Sequence, residues 1–296
     1  MSVIHKKVSP YLLLSLTILF WSGNFVLGRG LHENVPPVAL AFWRWFLAWL
    51  LVLPFAIRPM IQQYRLIIRH GMTLTLFGMC GVAGFSTLVY IGLSSTTATN
   101  GVLLNTASPV IIVLISRFFL KQHMSMRQGI GVIVAFLGVI VIITRGNPAL
   151  LLDLNLHSGD FLVLAGVLCW ALYTVFLYLR PHDLLPLSFV GATVSIGTLG
   201  MLPFFLWERA AGAVTIMTPA VAAGIFYLAL FPSILAYIFW NRAVAEVGAR
   251  RAGYFIYLMP ALGTLLSSVF LQEAFLVYHL TGVILIFSGV YLTTRG

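Results

Sequence analysis

The chain has 296 residues, of which 60% are hydrophobic and only 8% are charged. Because a soluble domain carries about 25% charged residues, this composition excludes a soluble globular protein and predicts an all-α integral membrane protein. Lysine and arginine number 17 against 7 acidic residues, and in a membrane protein this excess reports orientation rather than nucleic-acid binding.

Ten apolar segments are long enough to cross about 30 Å of hydrocarbon. In chain order they cover approximately 11–28, 38–55, 72–93, 99–119, 129–144, 159–179, 187–207, 219–243, 253–271 and 278–294. No small-residue cleavage site follows the first segment, so we expect it to remain as a span. The longest linker, 145–158, is too short for a soluble domain.

An internal duplication relates the two halves of the chain. Residues 98–139 align with 249–290 at an offset of 151, with 12 identities in 42 positions. The positions that apolar composition does not explain recur as pairs: Pro109 and Pro260, Gly131 and Gly282, and Gly138 and Gly289. The sequence therefore predicts two five-helix repeats, 11–144 and 159–294, joined by the loop 145–158. Because five is odd, the repeats are predicted to be inverted relative to each other.

The basic residues predict the orientation. With a cytoplasmic N-terminus, the inner loops hold 13 lysines and arginines and the outer loops hold 3, while Arg44 lies within a span. Short cytoplasmic loops carry the excess of such residues. We therefore predict that both termini are cytoplasmic.

Each repeat has a proline in the middle of an apolar run, Pro109 in the fourth helix and Pro260 in the ninth. A proline there removes a backbone donor and clashes with the carbonyl four residues back, so we expect helix breaks with free carbonyls at Asn105 and Ile256. In hydrocarbon, such breaks persist where protein or a water-filled cavity satisfies them. Paired broken helices are typical of a transporter's substrate site; a packed kink is the alternative.

All seven acidic residues and all seven histidines lie in loops or near the ends of the spans. Proton relays, metal sites and membrane hydrolases need such side chains inside the bundle. We therefore predict no catalytic residues, no metal ion and no cofactor. Cys80 and Cys169 lie within apolar runs and are interpreted as small hydrophobic residues.

The paired glycines are spaced for helix packing. Gly131 and Gly138 are seven residues apart, as are Gly282 and Gly289, so each pair lies on one helix face. Small residues on one face let membrane helices approach closely. We expect the fifth and tenth helices to pack together through these positions.

Polar and aromatic side chains within the spans are candidates for lining a substrate cavity. Arg44 is interpreted either as a partner for a substrate carboxylate or as a side chain that reaches the outer interface or caps free carbonyls of a neighbouring helix. An offset of 149 aligns Trp21 with Trp170 and Asn24 with Tyr173. The full candidate set is Trp21, Asn24, Arg44, Tyr90, Asn105, Trp170, Tyr173, Tyr237, Trp240, Tyr254 and Tyr257. Rings with a few amides suit a neutral or zwitterionic solute, although such residues also join membrane helices.

Several segments together resemble the EamA family, the ten-helix branch of the drug/metabolite transporter superfamily. They are Trp21-Ser-Gly-Asn-Phe25, Pro37 followed by Phe42-Trp-Arg44-Trp45, Pro109 with its basic turn and glycine helix, and Tyr237-Ile-Phe-Trp-Asn241-Arg-Ala243 before Pro260 and Leu271-Gln-Glu273. The resemblance covers nearly the whole chain. One departure is that Leu120-Lys-Gln122 stands in the first repeat where family repeats commonly have Leu-Gly-Glu, which argues against a catalytic or coupling role for these turns.

The resemblance implies a transporter in the bacterial inner membrane that exports small metabolites by alternating access, with amino acids, aromatic or large neutral, as the first expectation. Export of drugs or other metabolites is the alternative within this class, and a membrane-embedded enzyme or sensor is the alternative outside it. The expected partners are a small-molecule substrate and the lipid bilayer, with no nucleic acid. The sequence leaves the oligomeric state open and is compatible with a monomer.

Overall fold

The structure, a computed structural model, describes residues 8–31, 34–93, 95, 104–122, 124–151, 158–270 and 276–294. Three predicted features lie at least partly outside these residues: the start of the fourth span at 99–103, the part 152–157 of the connecting loop, and the turn at Leu271-Gln-Glu273. Within the described ranges, the regular secondary structure is entirely helical.

We number the main helices α1 to α10 along the chain and keep one number for a helix that is locally irregular. They are α1 Pro10–Leu31, α2 Pro37–Gln62, α3 Gly71–Leu93, α4 Ser108–Phe119, α5 Met126–Ile143, α6 Ser158–Leu179, α7 Pro186–Ala210, α8 Pro219–Val247, α9 249–270 and α10 Val277–Thr294. A short helix, Tyr64–Arg69, lies between α2 and α3, and a 3-10 turn, Pro148–Leu151, follows α5.

Seven helices in the described part of the chain are long and apolar enough to cross a membrane: α2, α3, α5, α6, α7, α8 and α10. The seven helices have at least 18 residues each. Helix α4 is shorter, with 12 residues, and the 3-10 turn in α9 leaves an uninterrupted helix of 13 residues. The protein is therefore an all-helical polytopic membrane protein with about ten helices.

Local sequence accounts for where several helices begin. Pro37, Pro186 and Pro219 each lie in the first turn of their helices, where the missing N–H is not needed and the fixed φ angle suits a helix. Helix α5 begins with a capping box in which Ser125 Oγ accepts from Gln128 N at 3.2 Å and Gln128 Oε1 accepts from Ser125 N at 3.1 Å. These pairs satisfy backbone donors that a helix start leaves open.

The helix ends gather at two faces of the bundle. Face A is the end at which α1 finishes, and there Ile216 N donates to Asn34 O at 2.8 Å. Face B is the end at which α1 begins, and there His70 Nε2 lies 3.1 Å from Asp183 Oδ2. This hydrogen bond from His70 lowers the pKa of the Asp183 carboxyl. Successive helices alternate in direction between the faces, with odd-numbered helices running from face B to face A.

At face A, the carboxylate of Glu208 caps the start of α2. Its two oxygens accept from Val38 N at 3.0 Å and Ala39 N at 2.7 Å. A negative charge at a helix N-terminus stabilises the open backbone donors and the helix dipole. This contact ties the end of α7 to the beginning of α2.

We expect Glu208→Ala to lower the melting temperature of the detergent-solubilised protein. Loss of a side-chain cap costs about 0.5–2 kcal/mol, and here two N–H groups lose their acceptor. The matched control is Glu246→Ala, which removes an exposed ion pair with Arg242 at 3.1 Å and is expected to change stability by less than about 0.5 kcal/mol. Equal melting temperatures for the two variants would refute the capping role.

Helices α5 and α10 pack with their backbones in contact. A Cβ atom added at Gly289 would lie 2.4 Å from Ala135 N and 2.5 Å from Gly131 O. A Cβ added at Gly138 would lie 2.7 Å from Gly282 O. The structure thus brings the four predicted packing glycines together in one seam, and none of them has space for a side chain.

Two wide turns of π-helix interrupt α3 and α8. They cover Gly78–Gly84 and Ala229–Leu235, and an offset of 151 relates the two segments from first residue to last. π-helical turns are rare and occur frequently at functional sites. These irregularities, which the sequence did not indicate, recur at the same place in both halves.

The structure interrupts α4 and α9 just before their prolines. Pro109 lies in the first turn of α4, after a turn at 106–107, and the 3-10 turn Phe255–Tyr257 precedes the segment that contains Pro260. The expectation of a free carbonyl at Asn105 is wrong, because Ser108 Oγ donates to Asn105 O at 2.7 Å. A side-chain hydroxyl takes the place of the backbone donor that Pro109 lacks.

Candidate substrate site

Six aromatic residues from four helices meet in the middle of the bundle. We call them the ring cluster: Trp21 of α1, Trp45 of α2, Trp170 and Tyr173 of α6, and Tyr237 and Trp240 of α8. The repeat-related residues Trp21 and Trp170 are in direct edge-to-face contact, with centroids 5.0 Å apart. Such aromatic pairs contribute about 0.5–1.5 kcal/mol beyond their buried area. The cluster therefore joins both halves of the chain at one point.

The two π-helical segments hold the ring cluster in place. Trp21 Nε1 donates to Pro232 O at 3.1 Å, and Tyr237 OH donates to Gly81 O. Gly81 and Pro232 are repeat equivalents at the offset of 151. A Cβ added at Gly81 would lie 2.4 Å from the ring of Tyr173, so only glycine leaves room for the ring there. Each irregular segment thus presents one carbonyl to a ring of the cluster.

Arg44 lies inside the bundle on the face A side of the ring cluster. Its side chain is 5% exposed, and Nη1 donates to Asn24 Oδ1 at 2.8 Å and lies 3.5 Å from Tyr90 OH. The guanidinium carbon is 5.3 Å from the ring centroid of Trp45. Its Nε is buried and has no hydrogen-bond partner within the described residues. The guanidinium is therefore held by neutral groups and retains an unused donor.

A second polar pair lies on the face B side of the ring cluster. Tyr173 OH donates to Asn241 Oδ1 at 2.6 Å, and both residues are at least 95% buried. Asn241 is absent from the set predicted from the sequence, although it corresponds to Tyr90 at the offset of 151. That correspondence is the signal that would have identified it.

Three predicted residues lie on other segments than the four helices that carry the ring cluster. Asn105 Nδ2 is 3.9 Å from Met259 Sδ, which links the start of α4 to α9. Tyr254 and Tyr257 are fully buried, and their hydroxyls have no hydrogen-bond partner in the part of the chain that the structure describes. They lie on a segment that packs against α4, where a Cβ at Gly253 would lie 3.2 Å from Ile112. Met259 O in turn accepts from Ser22 Oγ at 3.2 Å, which places α9 beside α1 next to Trp21.

The two sides of the ring cluster differ in burial. Toward face B, the side chains are buried, with Tyr173 at 3%, Tyr237 at 5% and Trp240 at 0% exposure. Toward face A, Asn24 and Tyr90 are partly exposed. Asn24 and Tyr90 are therefore less buried than Tyr173 and Asn241, while Arg44, beside them, is as buried as Tyr237.

A comparison with known families accounts for the repeated arrangement of the two halves of the chain. The profile of the EamA-like transporter family matches residues 8–144 and, a second time, residues 157–295. The chain belongs to the EamA-like transporter family. An EamA chain with two matching repeats is a multi-pass membrane transporter and not an enzyme, and its substrate is a small molecule.

Relatives of this EamA protein occur in bacteria and archaea. An uncharacterized transporter of Bacillus subtilis (strain 168), YyaM, is 29% identical over 98% of this chain and 95% of its own length. An uncharacterized transporter of Archaeoglobus fulgidus is 28% identical over 96% of each chain. A protein of Salmonella typhimurium named as a probable amino-acid metabolite efflux pump is 25% identical over 95% of this chain and 93% of its own length. A solved crystal structure with 19% identity shares the EamA fold, with a TM-score of 0.80 over 98% of this chain and 97% of that chain.

Proposed function

We propose that this protein exports amino acids, aromatic or large neutral ones first, by alternating access around the ring cluster. The observation that carries the proposal is the position of Arg44, a buried guanidinium with an unused Nε, directly beside Trp45 of the cluster. A guanidinium binds a carboxylate through two parallel N–H···O bonds. The rings of the cluster supply an apolar surface for a large side chain.

The positions of the acidic residues support a zwitterion over a cation. The four acidic residues that the structure describes lie in a loop or near helix ends, namely Asp160, Asp183, Glu208 and Glu246. Glu208 is already engaged with the start of α2. A charge at membrane depth without a counter-charge costs at least about 2.5–3.5 kcal/mol. A zwitterion avoids much of this cost because its carboxylate pairs with Arg44, while backbone carbonyls accept from its ammonium. The name of the Salmonella typhimurium relative is in agreement with this substrate class.

The orientation that fits export places face B toward the cytoplasm. Basic residues of the loops and helix ends on this face include Arg58, Arg65, Arg69 and Arg242, in agreement with the positive-inside rule. In this proposal the halves 11–144 and 159–294 are inverted repeats in the bacterial inner membrane, both termini are cytoplasmic, and Tyr173 and Asn241 lie on the cytoplasmic side of the ring cluster.

Efflux from proteoliposomes tests the proposal. We expect vesicles that contain the protein to release labelled phenylalanine faster than empty vesicles, and to release a lipophilic quaternary ammonium compound no faster. Trp170→Ala should slow the release of phenylalanine more than that of alanine, because a ring contact is lost only for the aromatic substrate. The matched control is Trp207→Ala, since Trp207 is 65% exposed at the end of α7.

Two results would overturn the assignment. One is transport of the quaternary ammonium compound without any amino-acid efflux. The other is an equal effect of Trp170→Ala on phenylalanine and alanine, which would remove the ring cluster from substrate selection.

A further inference from the structure

We propose that Asn24 with Tyr90, and Tyr173 with Asn241, are two repeat-related gates on opposite sides of the ring cluster, and that Arg44 holds the first gate open. Each pair consists of one amide and one phenol, carried by the first and third helices of its repeat. Asn24 and Tyr173 correspond at the offset of 149, and Tyr90 and Asn241 correspond at 151. The residue types are exchanged between the halves, yet both pairs allow the same bond from a phenol O–H to an amide oxygen.

The gates lie at opposite depths because the helices that carry them run in opposite directions. Asn24 comes three residues after Trp21 on α1, which runs toward face A. Tyr173 comes three residues after Trp170 on α6, which runs toward face B. Since three residues are nearly one turn, each gate lies about one turn from the contact between the two tryptophans. A solute beside these rings has one gate on each side.

The two gates differ in their hydrogen bonds. In the second gate, Tyr173 OH donates directly to Asn241 Oδ1 at 2.6 Å. In the first gate, Asn24 Oδ1 accepts from Arg44 Nη1 at 2.8 Å, and Tyr90 OH lies 3.5 Å from the same nitrogen. Arg44 Nη1 thus lies within hydrogen-bond distance of both Asn24 Oδ1 and Tyr90 OH, and in this proposal it takes the place of a direct bond between them. The two pairs also differ in burial, since Tyr173 and Asn241 are at least 95% buried and Asn24 and Tyr90 are partly exposed.

The second repeat has no basic residue at the position of Arg44. The offset of 149, which relates Pro37 to Pro186, places Thr193 there. Thr193 Oγ1 donates to the carbonyl of Phe189, on its own helix, at 2.9 Å. The position that Arg44 occupies in the first repeat therefore carries no cation in the second. This asymmetry between the halves accounts for one gate being open and the other closed.

A substrate carboxylate would close the first gate by binding Arg44. The charged acceptor competes for Nη1 and the unused Nε, because hydrogen bonds between ionised groups are about twice as strong as neutral ones. Asn24 Oδ1 is then free to accept from Tyr90 OH. This step rests on the proposed function, whereas the identity of the two gates does not.

Hydrogen–deuterium exchange of the full chain in lipid nanodiscs tests the gates. We expect Arg44→Met to slow exchange in 85–93, the part of α3 that carries Tyr90, about fivefold, the effect of one net hydrogen bond. Arg44→Met combined with Tyr90→Phe should return exchange to the wild-type rate, because the phenol is needed for closure. Tyr173→Phe should speed exchange in 236–247, the part of α8 that carries Asn241, by a similar factor. The control is Tyr178→Phe, because Tyr178 is a half-exposed tyrosine on α6, the helix that also carries Tyr173. This variant should leave exchange in 236–247 unchanged.

Phenylalanine added to the wild-type protein should have the same effect on 85–93 as Arg44→Met. If the variants behave as expected and phenylalanine has no effect, the gates are supported and the amino-acid assignment fails. If Arg44→Met leaves exchange in 85–93 unchanged, or if Tyr90→Phe does not reverse its effect, the gate proposal is overturned whatever the protein transports. If Arg44→Met folds poorly, Arg44→Gln replaces it in the experiment, because glutamine is also uncharged and is shorter than arginine. The same changes in exchange are expected for Arg44→Gln.

Discussion

Replacing Gly289 with alanine is expected to cause the largest loss of folded protein of any single methyl addition considered above. The new Cβ would lie 2.4 Å from Ala135 N and 2.5 Å from Gly131 O. These are backbone atoms in the middle of a helix, so they cannot rotate away as a side chain would, and α5 and α10 must separate. Overpacking of this kind costs about 1–3 kcal/mol or more, a large part of a typical stability of about 5–15 kcal/mol.

The measurement is the yield of monodisperse protein together with its melting temperature in detergent. Gly263→Ala is the matched control, because a Cβ at Gly263 meets nothing within 4 Å and alanine is favoured over glycine in a helix by about 0.5–1 kcal/mol. We expect the control to be as stable as the wild type or slightly more so. If the Gly289→Ala variant is as stable as Gly263→Ala, then α5 and α10 can move apart at the glycine seam without loss of stability, which contradicts the prediction.

Arg44→Ala is expected to reduce the initial rate of phenylalanine efflux from proteoliposomes at least about tenfold. A hydrogen bond to a charged group contributes about 1.5–3 kcal/mol, and 1.4 kcal/mol corresponds to a factor of ten. The substitution removes the proposed partner of the substrate carboxylate. It also removes the nitrogen that lies within 3.5 Å of both Asn24 Oδ1 and Tyr90 OH.

The control for this variant lies on the same helix. Arg58 is exposed near the face B end of α2, so Arg58→Ala removes the same charge from the same element outside the site. We expect its efflux rate to stay close to that of the wild type. Wild-type efflux by Arg44→Ala would exclude Arg44 from substrate binding and leave the ring cluster to select the substrate alone.

The sequence predicted those features that depend on composition and spacing. Hydropathy indicates the helices, because each must offer a long apolar surface to lipid. The fixed spacing of Gly131 and Gly138, repeated in the second half, indicated the contact between α5 and α10. The alignment of Trp21 with Trp170 indicated two equivalent rings, which the structure places in contact.

Other features depend on tertiary contacts that spacing does not encode. A π-helical turn differs from an α-helical turn by one hydrogen-bond register, and the segment Gly78–Gly84 reads as an ordinary apolar helix. The side chain of Ser108 changes the consequence of Pro109, since its hydroxyl supplies the donor for Asn105 O. Tyr257 is aromatic like the residues of the ring cluster, but it lies in the 3-10 turn Phe255–Tyr257 and not on one of the four helices that carry the cluster.

The glycine seam between α5 and α10 is an interface between two equivalent surfaces. Gly131 corresponds to Gly282 and Gly138 to Gly289, so the contact of Gly131 with Gly289 and that of Gly138 with Gly282 are images of each other. An interface in which residue i meets j while j meets i is isologous, as in a two-fold symmetric dimer. A single repeat expressed alone would carry both halves of this interface on one helix and could pair with a second copy of itself. Because α5 and α10 run antiparallel, two copies of such a repeat would meet through this interface in opposite directions.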